Sequence, residues 1–182
     1  MLRKQGGCMS SHYPDGIEQG HHDHPRFWRR NAGPVSLIVL GALLAAALLG
    51  LFGGQPNSDL VAETPEVRLE VNSATVLRNG LFFETRIRIT AKRPIDELVL
   101  GIAPSLWRDL TINSMFPAAS EEESRDGMLR FSYGPAEAGQ TIEIKIDGQV
   151  NPPLFGGTGG DVAVFDGDLP LARLPVTRKV RP

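Results

Sequence analysis

Between Arg30 and Asp59 the chain carries no charge for 28 consecutive residues. Inside that stretch Val35 to Phe52 reads VSLIVLGALLAAALLGLF, and 15 of these 18 residues are apolar. A helix of this length spans roughly 27 Å, close to the hydrocarbon thickness of a bilayer. A helix that is apolar all round has no face to turn to water. In lipid only a helix or a closed barrel satisfies its own backbone groups. The segment therefore predicts a transmembrane helix over 34–53. Pro34 suits the first turn, where its missing N–H costs nothing, and Gly53 and Gly54 are the expected stops. A cleaved signal peptide is the competing reading. The apolar run exceeds an ordinary signal core, and the small residues Ala45 to Ala47 lie within it rather than after it, so an uncleaved anchor is expected.

The flanking charges set an orientation. Arg26, Arg29 and Arg30 precede the run, and no Lys or Arg follows until Arg68. The positive-inside rule places residues 1–33 in the cytoplasm and the C-terminal part in the periplasm or outside the cell. With these three arginines, Phe27 and Trp28 form the expected interfacial anchor in a cell membrane. Gly41 with Ala45, and Ala46 with Gly50, have small-xxx-small spacing, which permits a weak homodimer through the helix.

Residues 1–33 lack helical or strand periodicity and read as a disordered tail of net charge +2, from five basic and three acidic residues. All four histidines lie here, at His12, His21, His22 and His24. An extended HHDHP string has no fixed ligand geometry, so a solvated linker is preferred over a metal site. The single cysteine, Cys8, is not preceded by the apolar run of a lipoprotein signal.

After a linker over 54–65, residues 66–182 alternate with period 2, the mark of half-buried strands. Val67, Leu69 and Val71 share one face. Phe83, Thr85, Ile87 and Ile89 share another, and Ile142, Ile144 and Ile146 a third. Further strands are expected around Leu98–Ile102, Leu110–Ile112, Leu129–Tyr133, Val162–Val164 and Leu171–Thr177. Asn79-Gly80 and Asp166-Gly167-Asp168 are turn signals. Glu121 to Gly127 reads as an acidic loop, and Asn151 to Gly160 as a Pro/Gly loop. Seven or eight strands so spaced predict a mainly β fold, an antiparallel immunoglobulin-like or fibronectin-like β-sandwich rather than a barrel. Without cysteines, its core must hold by packing alone.

The same composition excludes much chemistry. The outer domain has neither His nor Cys, so it cannot build a Ser-His-Asp triad, a thiol nucleophile or the usual zinc and copper sites. The whole chain has 19 basic and 21 acidic residues, which argues against nucleic acid as a partner. A short-looped sandwich is a poor host for the deep cleft that paired carboxylates need to hydrolyse glycosides. No enzyme activity, catalytic residue, cofactor or resident metal is expected. Asp161, Asp166 and Asp168 cluster in sequence, but Asp-Gly is an ordinary turn, and a turn is preferred over a calcium site. Trp107 and Phe155 are each either core or candidate contacts for a partner.

The segments Leu110 to Asn113, Asp126-Gly127, Ala138 to Gln140, Val150 to Pro152 and Asp166 to Asp168 resemble elements of a set of uncharacterised bacterial single-pass membrane proteins. That resemblance spans about two thirds of the chain. It implies a bacterial source and a neighbouring multi-pass membrane protein as partner, and it brings no catalytic residues. The resulting expectation is a non-enzymatic protein presenting a β-sandwich as an accessory or scaffold subunit of an envelope complex. The alternative is an extracytoplasmic module that binds calcium or a polysaccharide. A transmembrane signal relay is a third, weaker reading.

Overall fold

A computed structural model describes residues 27–52, 57–151 and 156–181, with side chains of the first segment described from Gly33 onward. The chain divides into two compact units, Met1–Ala46 and Ala47–Pro182. The first contains all but the last two residues of helix α1, Phe27–Leu48. It starts seven residues before the expected 34 and already covers the end of the expected tail. Pro34 lies inside the helix rather than in its first turn, so one interior hydrogen bond is missing there. The helix also stops early. Gly50, at φ 71, takes the left-handed conformation that ends helices, and its N–H donates to the Ala47 carbonyl at 2.9 Å. Gly50, not Gly53, is thus the stop. Leu37, Ile38, Leu40, Leu43, Leu44 and Leu48 are exposed and point to every side of the helix. Among the described residues, no helix is long and apolar enough to cross a membrane. The side chains of Arg26, Phe27, Trp28, Arg29 and Arg30, and the histidine-rich tail, lie outside the described residues.

Among the described residues, the second unit is a two-sheet β-sandwich of eleven strands: β1 Ser58–Glu63, β2 Val67–Ser73, β3 Val76–Arg78, β4 Phe82–Ala91, β5 Leu98–Ile102, β6 Thr111–Phe116, β7 Glu121–Arg125, β8 Met128–Ser132, β9 Thr141–Gln149, β10 Gly156–Asp166 and β11 Leu169–Arg181. One sheet has the order β1-β2-β4-β9-β6 and the other β3-β11-β10-β5-β8-β7. All neighbours are antiparallel except β3 and β11, which run parallel.

Alternation decides what each strand buries. From the five-stranded sheet Val67, Leu69, Val71, Ile87, Ile89, Ile144 and Ile146 point inward. They meet Leu98, Leu100, Ile102, Phe131, Val162, Val164, Leu174 and Val176 of the other sheet. Ile95, Leu106 and Ala136 join this core from the connections between strands.

Several segments depart from the sequence reading. Ser58–Glu63 lies in the expected linker yet pairs along its length with β2. Glu121–Arg125, expected as loop, is an edge strand. Asp126 and Gly127 both have positive φ, and Arg125 pairs with Met128 across them, which makes a two-residue hairpin. Gly156 to Gly160, expected as loop, is the first half of β10. Asn79-Gly80 is a turn, but it carries the chain from one sheet to the other instead of closing a hairpin.

Gly157 is the glycine this ladder cannot replace. Its φ is +134, and an added Cβ would lie 1.9 Å from the carbonyl oxygen of Arg178. Gly157→Ala must break the start of the β10–β11 ladder. A loss of about 3 kcal/mol or more in denaturant unfolding is expected, from backbone strain together with the clash.

Candidate functional site

The sandwich is open along the side where strands β6 and β7 end the two sheets. A groove of about 550 Å³ runs there, floored by Trp107, Ile112, Met115, Leu129 and Phe131 and bordered by Asn113, Ser114, Glu122, Glu123 and Ser124.

Local sequence places each part. After β5, Pro104 opens a single 3-10 turn, Pro104–Leu106, as its fixed φ allows. Leu106 drops into the core. Trp107 is held next to it: its N–H donates to the Pro104 carbonyl at 3.1 Å, and its own carbonyl accepts from Leu110 N–H at 3.1 Å. The indole is half-buried. It leans on Phe131, with ring centroids 5.8 Å apart and planes inclined by 55°. Trp107 therefore packs on the core and lines the groove at once, joining two roles that the sequence posed as alternatives. Phe155 lies outside the described residues.

A β-bulge shapes the opposite wall. The β6–β9 register shifts between Ile112 and Ser114, which leaves Asn113 as the extra residue. Three positions apart on a regular strand, Ile112 and Met115 would face opposite ways. With Asn113 inserted, both pack against the core from the groove side. Met115 Sδ also accepts a hydrogen bond from the Tyr133 hydroxyl at 3.1 Å. Opposite, Glu122 and Ser124 occupy alternate positions on β7 and edge the same space. Nothing in periodicity signals the bulge, and three consecutive glutamates conceal the strand.

The aspartates singled out in the sequence are separated in the structure. Asp161 pairs with Arg173 at 3.4 Å, and Asp166 Oδ1 accepts the backbone N–H groups of Asp96 and Glu97. Asp168 pairs with Arg125 and Arg130, each at 2.8 Å. Among the described residues, no three His, Cys, Asp or Glu side chains gather as a metal-holding group. Asp166 and Asp168 instead serve the turn. Arg130 is buried on the outer side of the six-stranded sheet, 4.6 Å from the Phe165 ring centroid, and is held by Asp168 and by Asp126 at 2.9 Å. It ties the β7–β8 hairpin tip to the β10–β11 tip.

No protein-family model matches the chain, and no curated protein matches it. Solved structures do resemble it. The chitin-binding domain of a hyperthermophilic chitinase from Pyrococcus furiosus aligns with 60% of this chain and 97% of its own length, at 16% identity and a TM-score of 0.38. A non-cellulosomal cohesin from the hyperthermophilic archaeon Archaeoglobus fulgidus aligns with 60% of this chain and 88% of its own, at 9% identity and a TM-score of 0.39.

Burial, with a smaller contribution from the Glu122 carboxylate, pushes the Tyr133 hydroxyl up from the ordinary tyrosine value to about 12. The neutral phenol is the form the fold favours. The stability tied to it is present below pH 10 and is lost as pH rises through 12, because the unfolded chain releases the proton first. An absorbance titration at 295 nm should show one of the two tyrosines ionising near 12, and Tyr133→Phe should remove that step.

Proposed function

We propose that this protein is a non-catalytic binding module that takes a linear polysaccharide in the groove between β6 and β7. The observation that carries this reading is the floor itself: a half-buried indole set among apolar side chains, within a border of amide, hydroxyl and carboxylate groups. A sugar ring presents an apolar face suited to an aromatic platform and an equatorial fringe of hydroxyls suited to Asn113, Ser114, Glu122 and Ser124. The groove is open at the surface, which suits a polymer that passes through rather than a small molecule enclosed within. The calcium version of this reading has no support from Asp161, Asp166 and Asp168, whose carboxylates are each committed to other groups.

We further propose that the module is attached to a cell membrane through the apolar run Val35 to Phe52, with the sandwich on the extracytoplasmic side. The exposed leucines around α1 and the arginines preceding the run support this placement.

Co-sedimentation of the detergent-solubilised chain with insoluble chitin, cellulose and peptidoglycan tests the first proposal. Binding to at least one is expected, weakened at least tenfold by Trp107→Ala, the order of loss expected at an aromatic anchor. Failure on all three polymers, or binding indifferent to Trp107→Ala, would sink it. For the placement, the protein should stay in the membrane pellet through an alkaline carbonate wash; its release into the supernatant would argue against a membrane anchor.

A second reading is favoured by a free sheet edge. β7, whose ladder is regular, ends its sheet and can accept a strand from a partner that is not itself acidic, as an accessory subunit of an envelope complex requires. Crosslinking from residue 113 in intact cells should then capture a membrane protein, and that capture should persist in Trp107→Ala.

A further inference from the structure

We propose that the interior of the sandwich holds a site for a small monovalent anion, between Arg178 of β11 and Thr158 of β10. The inward positions of β11 are Ala172, Leu174, Val176, Arg178 and Val180, so a guanidinium occupies a place where the alternation demands an apolar side chain. Arg178 is 3% exposed. Its Nε donates to Ser73 Oγ at 3.0 Å and its Nη2 to Thr85 Oγ1 at 2.7 Å, and its charge lies 5.0 Å from the Phe83 ring centroid. Among the described residues it has no ion pair, and its Nη1 has no hydrogen-bond partner.

Thr158 stands directly across the ladder from Arg178. It shares the inward face with Val162 and Val164, and its buried hydroxyl also lacks a partner. Two adjacent interior positions thus carry three facts that interiors normally avoid: a cation without an anion, an N–H without an acceptor and a hydroxyl without either.

The donor inventory indicates what completes them. Arginine only donates. The oxygens of Ser73 and Thr85 already accept from it, which leaves their hydroxyl hydrogens free to donate, and Thr158 supplies another. The cluster therefore offers donors and positive charge and calls for an acceptor with negative charge. Burial lowers the Arg178 pKa to about 10, so the side chain is still a cation at neutral pH. A water would satisfy the hydrogen bonds but not the charge. The surroundings, with Leu77, Phe83, Val150 and Val180 packed together at this end, suit a monatomic halide rather than a polyatomic anion. The site is separate from the groove beside Trp107.

Thermal melts of the full chain in detergent test this, with sodium chloride exchanged for sodium gluconate at constant ionic strength. Wild-type Tm should rise by about 4 °C or more once chloride exceeds its Kd several-fold, and should go on rising with the logarithm of the chloride concentration. Thr158→Val and Arg178→Met should flatten the response. In gluconate, Arg178→Met should melt no lower than wild type, because it removes the uncompensated charge. Bromide-soaked crystals should show an anomalous peak beside the guanidinium. A Tm indifferent to the exchange, a response kept by Thr158→Val, or a water molecule alone at the site would overturn the proposal. Should Arg178→Met fail to fold, Thr158→Val and the bromide peak still decide it.

Discussion

The β10–β11 ladder is the pairing on which the rest of the molecule depends. It joins the two longest strands, eleven and thirteen residues, from Gly156↔Val180 to Asp166↔Leu169. β10 then carries β5, and through it β8 and β7, while β11 carries β3. The six-stranded sheet is therefore assembled around one hairpin. The same hairpin gives Val162, Val164, Leu174 and Val176 to the main core, and Thr158 and Arg178 to the interior beyond it. With no cysteine in the domain to cross-link the sheets, apolar burial must fix their relation. That burial is apolar along the ladder except at the Thr158–Arg178 pair, beyond which Val180 resumes it with Leu77, Phe83 and Val150.

Strands that bury one face were legible from period 2. β2, β4 and β9 follow it closely, because each has the core on one side and charged or polar neighbours on the other. On the outer face of the five-stranded sheet this gives cross-strand ion pairs, such as Arg88 with Glu70 and Glu143. Exposed pairs of this kind add little stability individually but oppose register slips, which would bring like charges together. β1, β3, β7 and the glycine-rich half of β10 were not legible. Their residues have weak strand preference, and a neighbour already in place supplies the order. Glu121–Arg125 pairs only because the Asp126-Gly127 turn folds it back on β8. Gly156 to Gly160 pairs because β11 extends far enough to meet it.

The candidate site was half legible. Trp107 was visible as an aromatic residue after a turn-forming Ala-Pro-Ser, but not the groove it floors. That groove needs the Asn113 bulge, and a bulge leaves no periodic trace when the flanking residues are Thr, Ile, Ser and Met. Arg178 was hidden for a related reason. The expected last strand stops at Thr177, because an arginine followed by Lys179 reads as its exposed end. The structure carries the strand on to Arg181 and buries Arg178 on the face of Leu174 and Val176.

The site and the protection of the sheet edges have one physical origin. An unpaired strand at each side of the open flank would invite a second copy to add on. β7 counters this with Glu121, Glu122 and Glu123 in succession, all exposed, so that two such edges brought together repel. β6 counters it with the bulge at Asn113, which breaks the even spacing of its outward groups. Those same devices define the groove: the bulge turns Ile112 and Met115 onto its floor, and β7 supplies its carboxylate border. A flank closed to its own kind by charge and irregular spacing stays open to a ligand that needs neither a regular ladder nor an anionic surface. A neutral chain bearing hydroxyls and apolar ring faces meets both conditions.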